Sequence, residues 1–238
     1  MSLVDALYAF LIALRAESFE YECACCGYSG TFRPNGSPIR LNAKCPRCGS
    51  LERHRLLAMG LRDLGTVIDG KDVLHFAPEG IVTRLVEPRA KSYVTADITP
   101  GRADRVENIE ALSFDEGAFD CVLCFHVLEH VNDARALSEL YRVLRPGGHL
   151  LTLTPIVYGW ETTYQDDSVE ESDRARHFGQ SDHVRWFGRD YEERLESAQF
   201  STSKFVPGGR VTAQNGLIPG ETLYISTKAA IEFSTNLQ

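Results

Sequence analysis

No stretch of this sequence carries the roughly 18 consecutive apolar residues that a membrane span requires. The apolar segment Ala6 to Leu14 is too short, follows Asp5, and has neither a basic leader nor a cleavage site around it. It is expected to belong to a packing helix running to about Tyr21, not to a signal peptide. Positive charge is also in short supply. Lys and Arg number 25 against 33 Asp and Glu, a net charge of −8, which argues against a nucleic-acid backbone as the main partner. There is no internal repeat and no low-complexity segment. What remains is a globular composition, 43% hydrophobic and 24% charged over 238 residues. That length holds one full α/β domain and a small module, and a cytoplasmic location is expected.

The cysteines fall into two groups. Cys121 and Cys124 lie in an apolar run and read as small core residues. The early group contains two knuckles, Cys23-Ala-Cys-Cys26-Gly27 and Cys45-Pro-Arg-Cys48-Gly49, with 18 residues between them. A tight turn with glycine after its second cysteine brings two thiolates onto one ion, and two such turns complete a tetrahedral site. Cys23, Cys26, Cys45 and Cys48 are therefore expected to hold a structural Zn²⁺ in a small ribbon. The competing reading is disulfides or metal-free thiols, which a reducing compartment disfavours. Cys25 breaks the two-residue spacing and is left out. Pro34-Asn35-Gly36 is a turn signal inside the ribbon, and Ser50 to Arg53 reads as the start of a helix. The expected organisation is an N-terminal module over residues 1–56 and a larger domain over 57–238, whose first strand begins near Gly70.

Phe119 to Leu150 is the most informative run. Cys121 to Phe125 reads as a strand buried on both faces. Asn132 and Asp133 are helix-capping types, and Ala134, Leu137, Leu140, Val143 and Leu144 follow helical spacing. Pro146-Gly147-Gly148 is expected to stop that helix, with a strand resuming over His149 to Leu153. This is a βαβ unit. Its wording, FD then HVLEHV then RVLRPGG, resembles the second half of the class I S-adenosylmethionine-dependent methyltransferases, especially those of the type 11 group that act on small molecules. The resemblance extends over about Gly70 to Lys228. It implies a Rossmann-like α/β fold with a mostly parallel sheet and an antiparallel last strand, here preceded by a four-cysteine zinc ribbon. S-adenosylmethionine is the cofactor it implies.

The resemblance also assigns candidate residues. In the family the first strand is followed by an acidic residue and a glycine-rich turn. Here His75 stands at the acidic position, Ala77, Pro78 and Glu79 replace most of the glycines, and only Gly80 remains. His75, Ala77, Glu79 and Gly80 are nevertheless the aligned cofactor positions. Glu79 fits two roles, receiving the amino group of the methionine moiety or decorating the next helix. Asp97 ends the second predicted strand, Tyr93 to Asp97, 20 residues after Ala77. An acid there can accept both ribose hydroxyls; the bland reading is a turn aspartate before Pro100-Gly101. Asn108 and Ile109 stand at the adenine-contacting segment, and Phe125 ends the strand beside the sulfonium.

His126-Val-Leu-Glu129-His130 admits three readings. The residues fix a loop, or His126 is a general base or positions the acceptor, or the cluster binds a metal. Some O-methyltransferases carry Glu-x-x-Glu-His here and hold Mg²⁺ with it, but the histidine at the first position of this chain departs from an oxygen-ligand set. Residues 158–190 form a long connection of the kind that carries substrate sites. Tyr164, Gln180, Asp182 and Arg185 are its candidate substrate residues, and His183, oriented by Asp182, is a second candidate base. The competing reading is a network that pins the loop. Tyr191 to Phe200 has helical spacing, and Tyr224 to Ser226 is expected to be an antiparallel edge strand.

The expected function is methyl transfer to a small-molecule or saccharide-type acceptor. Two other classes stay open. One is an RNA methyltransferase that grips its substrate with the ribbon. The other is a non-catalytic binding protein that kept the fold. Residues 21–56 carry a net charge of +4, about +2 once four thiolates and a zinc ion are included, whereas residues 161–196 carry −6. The oligomeric state is not legible.

Overall fold

The computed structural model describes residues 19–36 and 38–230. The expected leading helix falls mostly outside them. The described residues form two compact units: Phe19–Asp63 with Val206–Glu221, and Leu64–Phe205 with Thr222–Ala230.

The first unit contains two short antiparallel pairs, Tyr21–Glu22 with Ser29–Gly30 and Arg33–Asn35 with Arg40–Lys44. The first knuckle, Cys23 to Gly27, joins the two strands of the first pair, and the second, Cys45 to Gly49, follows the second pair. The Cys23 carbonyl accepts the Gly27 N–H at 2.8 Å and the Cys45 carbonyl accepts the Gly49 N–H at 3.0 Å. Both glycines are left-handed, with φ of +68° and +79°, a conformation that disfavours any side chain. The helix Glu52–Asp63 belongs to this unit, and Arg55 shows why. Its side chain is fully buried and lies over the Phe32 ring, 4.5 Å from the centroid. It donates to the carbonyls of Ala43 and Ser50 (both 3.0 Å), Asn215 (2.8 Å) and Gly216 (2.6 Å). One guanidinium thus ties the ribbon, the helix and the returning segment 206–221 together, a use of its fixed donor fork that lysine could not reproduce.

The second unit is built on a seven-stranded sheet. Its strands are β1 (Asp72–Phe76), β2 (Ser92–Asp97), β3 (Arg105–Val106), β4 (Phe119–Phe125), β5 (Leu144–Leu153), β6 (Phe200–Phe205) and β7 (Leu223–Lys228). The order is β6-β7-β5-β4-β1-β2-β3. The β5-to-β3 part is parallel, and β7 is antiparallel to both its neighbours. This is the α/β Rossmann-like arrangement that the βαβ pattern implies. Central strand β4 is buried almost throughout because β1 and β5 flank it and side chains cover both its faces. Burial pushes the Cys121 and Cys124 thiols up, so both remain protonated core groups.

Two sequence expectations need correction. The helix after β4 spans Asp133–Val143, capped by Asn132, whose side chain accepts the Arg135 N–H at 3.1 Å. It ends before Pro146-Gly147-Gly148, which lies inside β5 at an irregularity in the pairing with β4. A β-carbon on Gly148 would sit 2.8 Å from the Arg145 carbonyl and 3.0 Å from that of Asp120, so the glycine serves a close strand approach and not a helix stop. Second, the sheet edge is β6, not the strand containing Tyr224. That strand, β7, is inserted between β5 and β6. The helix before β6 covers Tyr191–Ser197, and Tyr191 is fully buried with its hydroxyl donated to Thr152 Oγ1 at 2.9 Å. The connection 158–190 has structure of its own: a short antiparallel pair, Tyr164–Gln165 with Arg185–Trp186, and a helical turn, Arg174–Phe178.

Candidate functional site

A cavity of about 510 Å³ opens at the carboxyl ends of β1, β2 and β4. This is where crevices form in open parallel sheets, because the chain leaves adjacent strands in diverging directions. Two non-glycine residues there have left-handed backbone: Ala77 after β1, φ +48°, and His126 after β4, φ +55°. Each is held by a hydrogen bond to the adjoining strand, Ala77 N–H to the Ala96 carbonyl and His126 N–H to the Leu153 carbonyl, both 2.8 Å. The turn that glycine normally supplies is therefore made by alanine.

Ala77, Asp97, Asn108, Ile109, His126 and Asp182 all line this cavity. Asp97 is fixed at its mouth by the Thr99 N–H, which donates to the carboxylate at 2.7 Å. Asn108 Oδ1 accepts the Glu110 N–H at 3.0 Å and so helps close its own turn. Ile109 supplies an apolar wall and is itself 5% exposed. The wall also includes residues that the sequence did not single out, among them Phe76, Ile98, Arg102 and Val127. Ile98 is 65% exposed beside Asp97, and an apolar residue following a strand-end acid is the signal that could have found it.

The remaining cofactor candidates lie elsewhere. His75 is fully buried in β1, its Nδ1 2.5 Å from the Tyr93 hydroxyl. Burial pushes its pKa down to about 4, with the Glu79 charge opposing the shift. Phe125 is buried against the His75 ring, centroid to centroid 6.1 Å. Neither is on the cavity wall. Glu79 is the N-cap residue of the helix Gly80–Val86, and its side chain makes no capping hydrogen bond.

The histidine cluster occupies the far side. His126 Nδ1 lies 3.4 Å from Glu129 Oε1. Glu129 is 2% exposed and also accepts Thr154 Oγ1 at 3.0 Å. Burial raises its pKa, but the hydrogen bond and charge of His126 outweigh this and hold it below the usual carboxylate value. Asp182 does not orient His183. Its carboxylate pairs with His130 Nδ1 at 3.4 Å, and its carbonyl lies 3.1 Å from the same nitrogen. The pairing is set by Val184, whose N–H donates to the Glu129 carbonyl and brings the loop against the turn. His183 is buried edge-on against His130, and its pKa is lowered first by burial and then by the nearby His130 charge.

Among the candidate substrate residues, Arg185 is buried and donates to the Leu128 and Val131 carbonyls at 2.8 and 2.6 Å, with Asp133 at 3.2 Å. That geometry pins the loop. Tyr164 pairs with His177 Nδ1 at 2.6 Å, and Gln180 is exposed; neither lines the cavity.

In the first unit one sulfur from each of Cys23, Cys26, Cys45 and Cys48 lies within 4.8 Å of the others. The Cys23–Cys48 and Cys26–Cys45 sulfur separations are both 3.7 Å. Four thiolates on a tetrahedral zinc are about 3.8 Å apart, given Zn–S bonds of about 2.3 Å, so the donor set fits that ion.

Residues 74–152 match the family described as a methyltransferase domain. The ubiquinone/menaquinone biosynthesis C-methyltransferase UbiE of Hahella chejuensis is 39% identical over 127 residues, which is 44% of this chain and 51% of that protein. The aligned stretch thus spans about half the relative's length. An S-adenosylmethionine dependent methyltransferase from Mesorhizobium loti superposes with a TM-score of 0.50 at 16% identity, over 72% of this chain and 97% of that one. The CurJ carbon methyltransferase superposes with a TM-score of 0.52 at 14% identity, over 79% of this chain and 56% of that one. The second unit therefore has the fold of the S-adenosylmethionine-dependent methyltransferases.

Proposed function

We propose that this chain is an S-adenosylmethionine-dependent methyltransferase acting on a small-molecule or saccharide-type acceptor, with the cavity at the ends of β1, β2 and β4 as its cofactor pocket. The observation that carries the reading is the placement of Asp97 and the left-handed Ala77 on one cavity wall, inside the segment that matches the methyltransferase family. When bound, S-adenosylmethionine supplies an electrophilic methyl group on a sulfonium. The protein's part is then chiefly positioning, since in-line displacement needs the acceptor held against that carbon. Asp97 would accept the ribose hydroxyls, and Ile109 would pack against the adenine. The Ala77 turn would let backbone come close without the usual glycines. His126 also lines the cavity, and its imidazole would hold an acceptor or take its proton.

The net charge of −6 on the loop over 161–196 supports a small acceptor over a nucleic acid. That loop would repel a phosphate backbone. The four cysteines are proposed to hold a structural zinc.

Calorimetric titration with S-adenosylmethionine tests this reading. Wild-type protein should bind one equivalent, and Asp97→Ala should bind about ten- to a hundredfold more weakly, the effect of losing a charged hydrogen-bond acceptor worth about 1.5–3 kcal/mol. No heat with wild type, or an Asp97→Ala isotherm indistinguishable from it, would sink the assignment.

A further inference from the structure

We propose that Glu129, His130 and His183 form a binding site for one divalent transition-metal cation at the edge of the cavity. One ligand atom from each lies within 4.8 Å of the other two. Glu129 and His130 come from the single helical turn Leu128–His130 that follows β4, and His183 comes from the connection after β5, more than 50 residues on. The Val184 N–H, donated to the Glu129 carbonyl at 3.0 Å, fixes the two segments to each other.

The surroundings of the three side chains point to a ligand. His183 is 2% exposed, yet its Nδ1 has no hydrogen-bond partner among the described residues. An unsatisfied buried nitrogen is costly, and native proteins seldom keep one without a role. His130 Nδ1 faces the Asp182 carbonyl at 3.1 Å. That contact orients the His130 ring and leaves its other nitrogen available. That is the arrangement outer-shell carbonyls impose on metal-bound histidines. Glu129 is oriented in the same way by Thr154. The His126–Glu129 pair accounts for the carboxylate without a metal, but it does not account for His183 Nδ1.

Two imidazoles and one carboxylate suit zinc, manganese, iron or cobalt better than magnesium, which prefers oxygen alone. Three protein ligands leave coordination positions open. His130 also lines the cavity, so a bound cation would lie next to the acceptor's entry and favour an acceptor that offers a metal-binding oxygen. This last step rests on the methyltransferase reading; the cation site does not.

Manganese is the probe of choice, because it competes poorly with zinc for four thiolates and leaves the ribbon loaded. Titration of zinc-loaded protein with Mn²⁺, following free Mn²⁺ by electron paramagnetic resonance without methyl donor, should show one bound ion per chain. Binding should weaken at least tenfold in His183→Ala and in the near-isosteric Glu129→Gln, while Gln180→Ala binds as wild type. In wild-type protein the bound ion should broaden the ring-proton resonances of His130 and His183. No Mn²⁺ binding, or bound Mn²⁺ that leaves those resonances sharp, would overturn the proposal irrespective of how the variants fold. A chain that binds Mn²⁺ here but no S-adenosylmethionine would keep this site and lose the methyltransferase reading.

Discussion

Ala77 and His75 sit two residues apart and show opposite consequences of a missing glycine motif. Ala77 accepts a left-handed backbone, at a cost of about 1–2 kcal/mol relative to an unstrained residue, to make the turn below the cavity. His75, where an acid stands in the family this chain resembles, is turned away from the cavity wall and kept neutral by burial. Its folded pKa of about 4 lies below the ordinary histidine value of 6.5. The unfolded chain therefore binds a proton in a range where the folded one does not. The stability associated with neutral His75 is complete above pH 6.5 and falls as pH drops from 6.5 toward 4, by about 3 kcal/mol over that window. Chemical denaturation at a series of pH values should show this loss, and His75→Gln should flatten it. Identical slopes for the two proteins would mean that His75 is not the group responsible.

At the scale of the element, the close approach of β5 to β4 depends on Gly148. A methyl group there would meet two backbone carbonyls, which cannot rotate away as a side chain could. Gly148→Ala should destabilise the protein by about 1–3 kcal/mol, measured as a shift in the denaturant midpoint at unchanged m. The elements of this region were legible because strong local signals coincide: the Asn132 cap, apolar residues at helical spacing, and an uninterrupted buried strand. β6 was not legible. In Phe200–Phe205 only Phe200 is buried, so an edge strand of this kind writes no core-facing alternation into the sequence. The turn glycines were visible, but their purpose was not, since a close approach of two strands is a tertiary fact. The same holds in the site. Asp97 was legible from its place after a strand, whereas the partner of Asp182 depended on how the loop over 158–190 lies against the turn after β4. Arg185 looked like a substrate ligand by residue type, and only its burial against two carbonyls shows the structural use.

At the scale of the whole molecule, the chain divides its stabilising devices between two units. The larger rests on the apolar core around β4 and β5. In the smaller, the helix Glu52–Asp63 buries Leu56, Leu57 and Leu61, but the cluster around the cysteines has only Cys23, Phe32 and Cys45 buried, too small a core to hold the ribbon without a staple. About one zinc per chain is therefore expected by elemental analysis after purification without chelator. Removing it with a strong chelator should expose the segment from 19 to 50 to proteolysis while the sheet unit stays resistant. Retained resistance in metal-free protein would count against a structural zinc.

The central claim is that a chain without the usual glycine turn still seats an S-adenosyl ligand at the ends of β1, β2 and β4. The most direct measurement is backbone amide NMR of the protein titrated with S-adenosylhomocysteine, which occupies the same site without reacting. Saturable shifts should concentrate at Ala77, Asp97 to Thr99, and Asn108 to Ile109, with the cysteine module unchanged. No shifts at saturating ligand, or shifts confined to residues away from that cavity, would contradict the account.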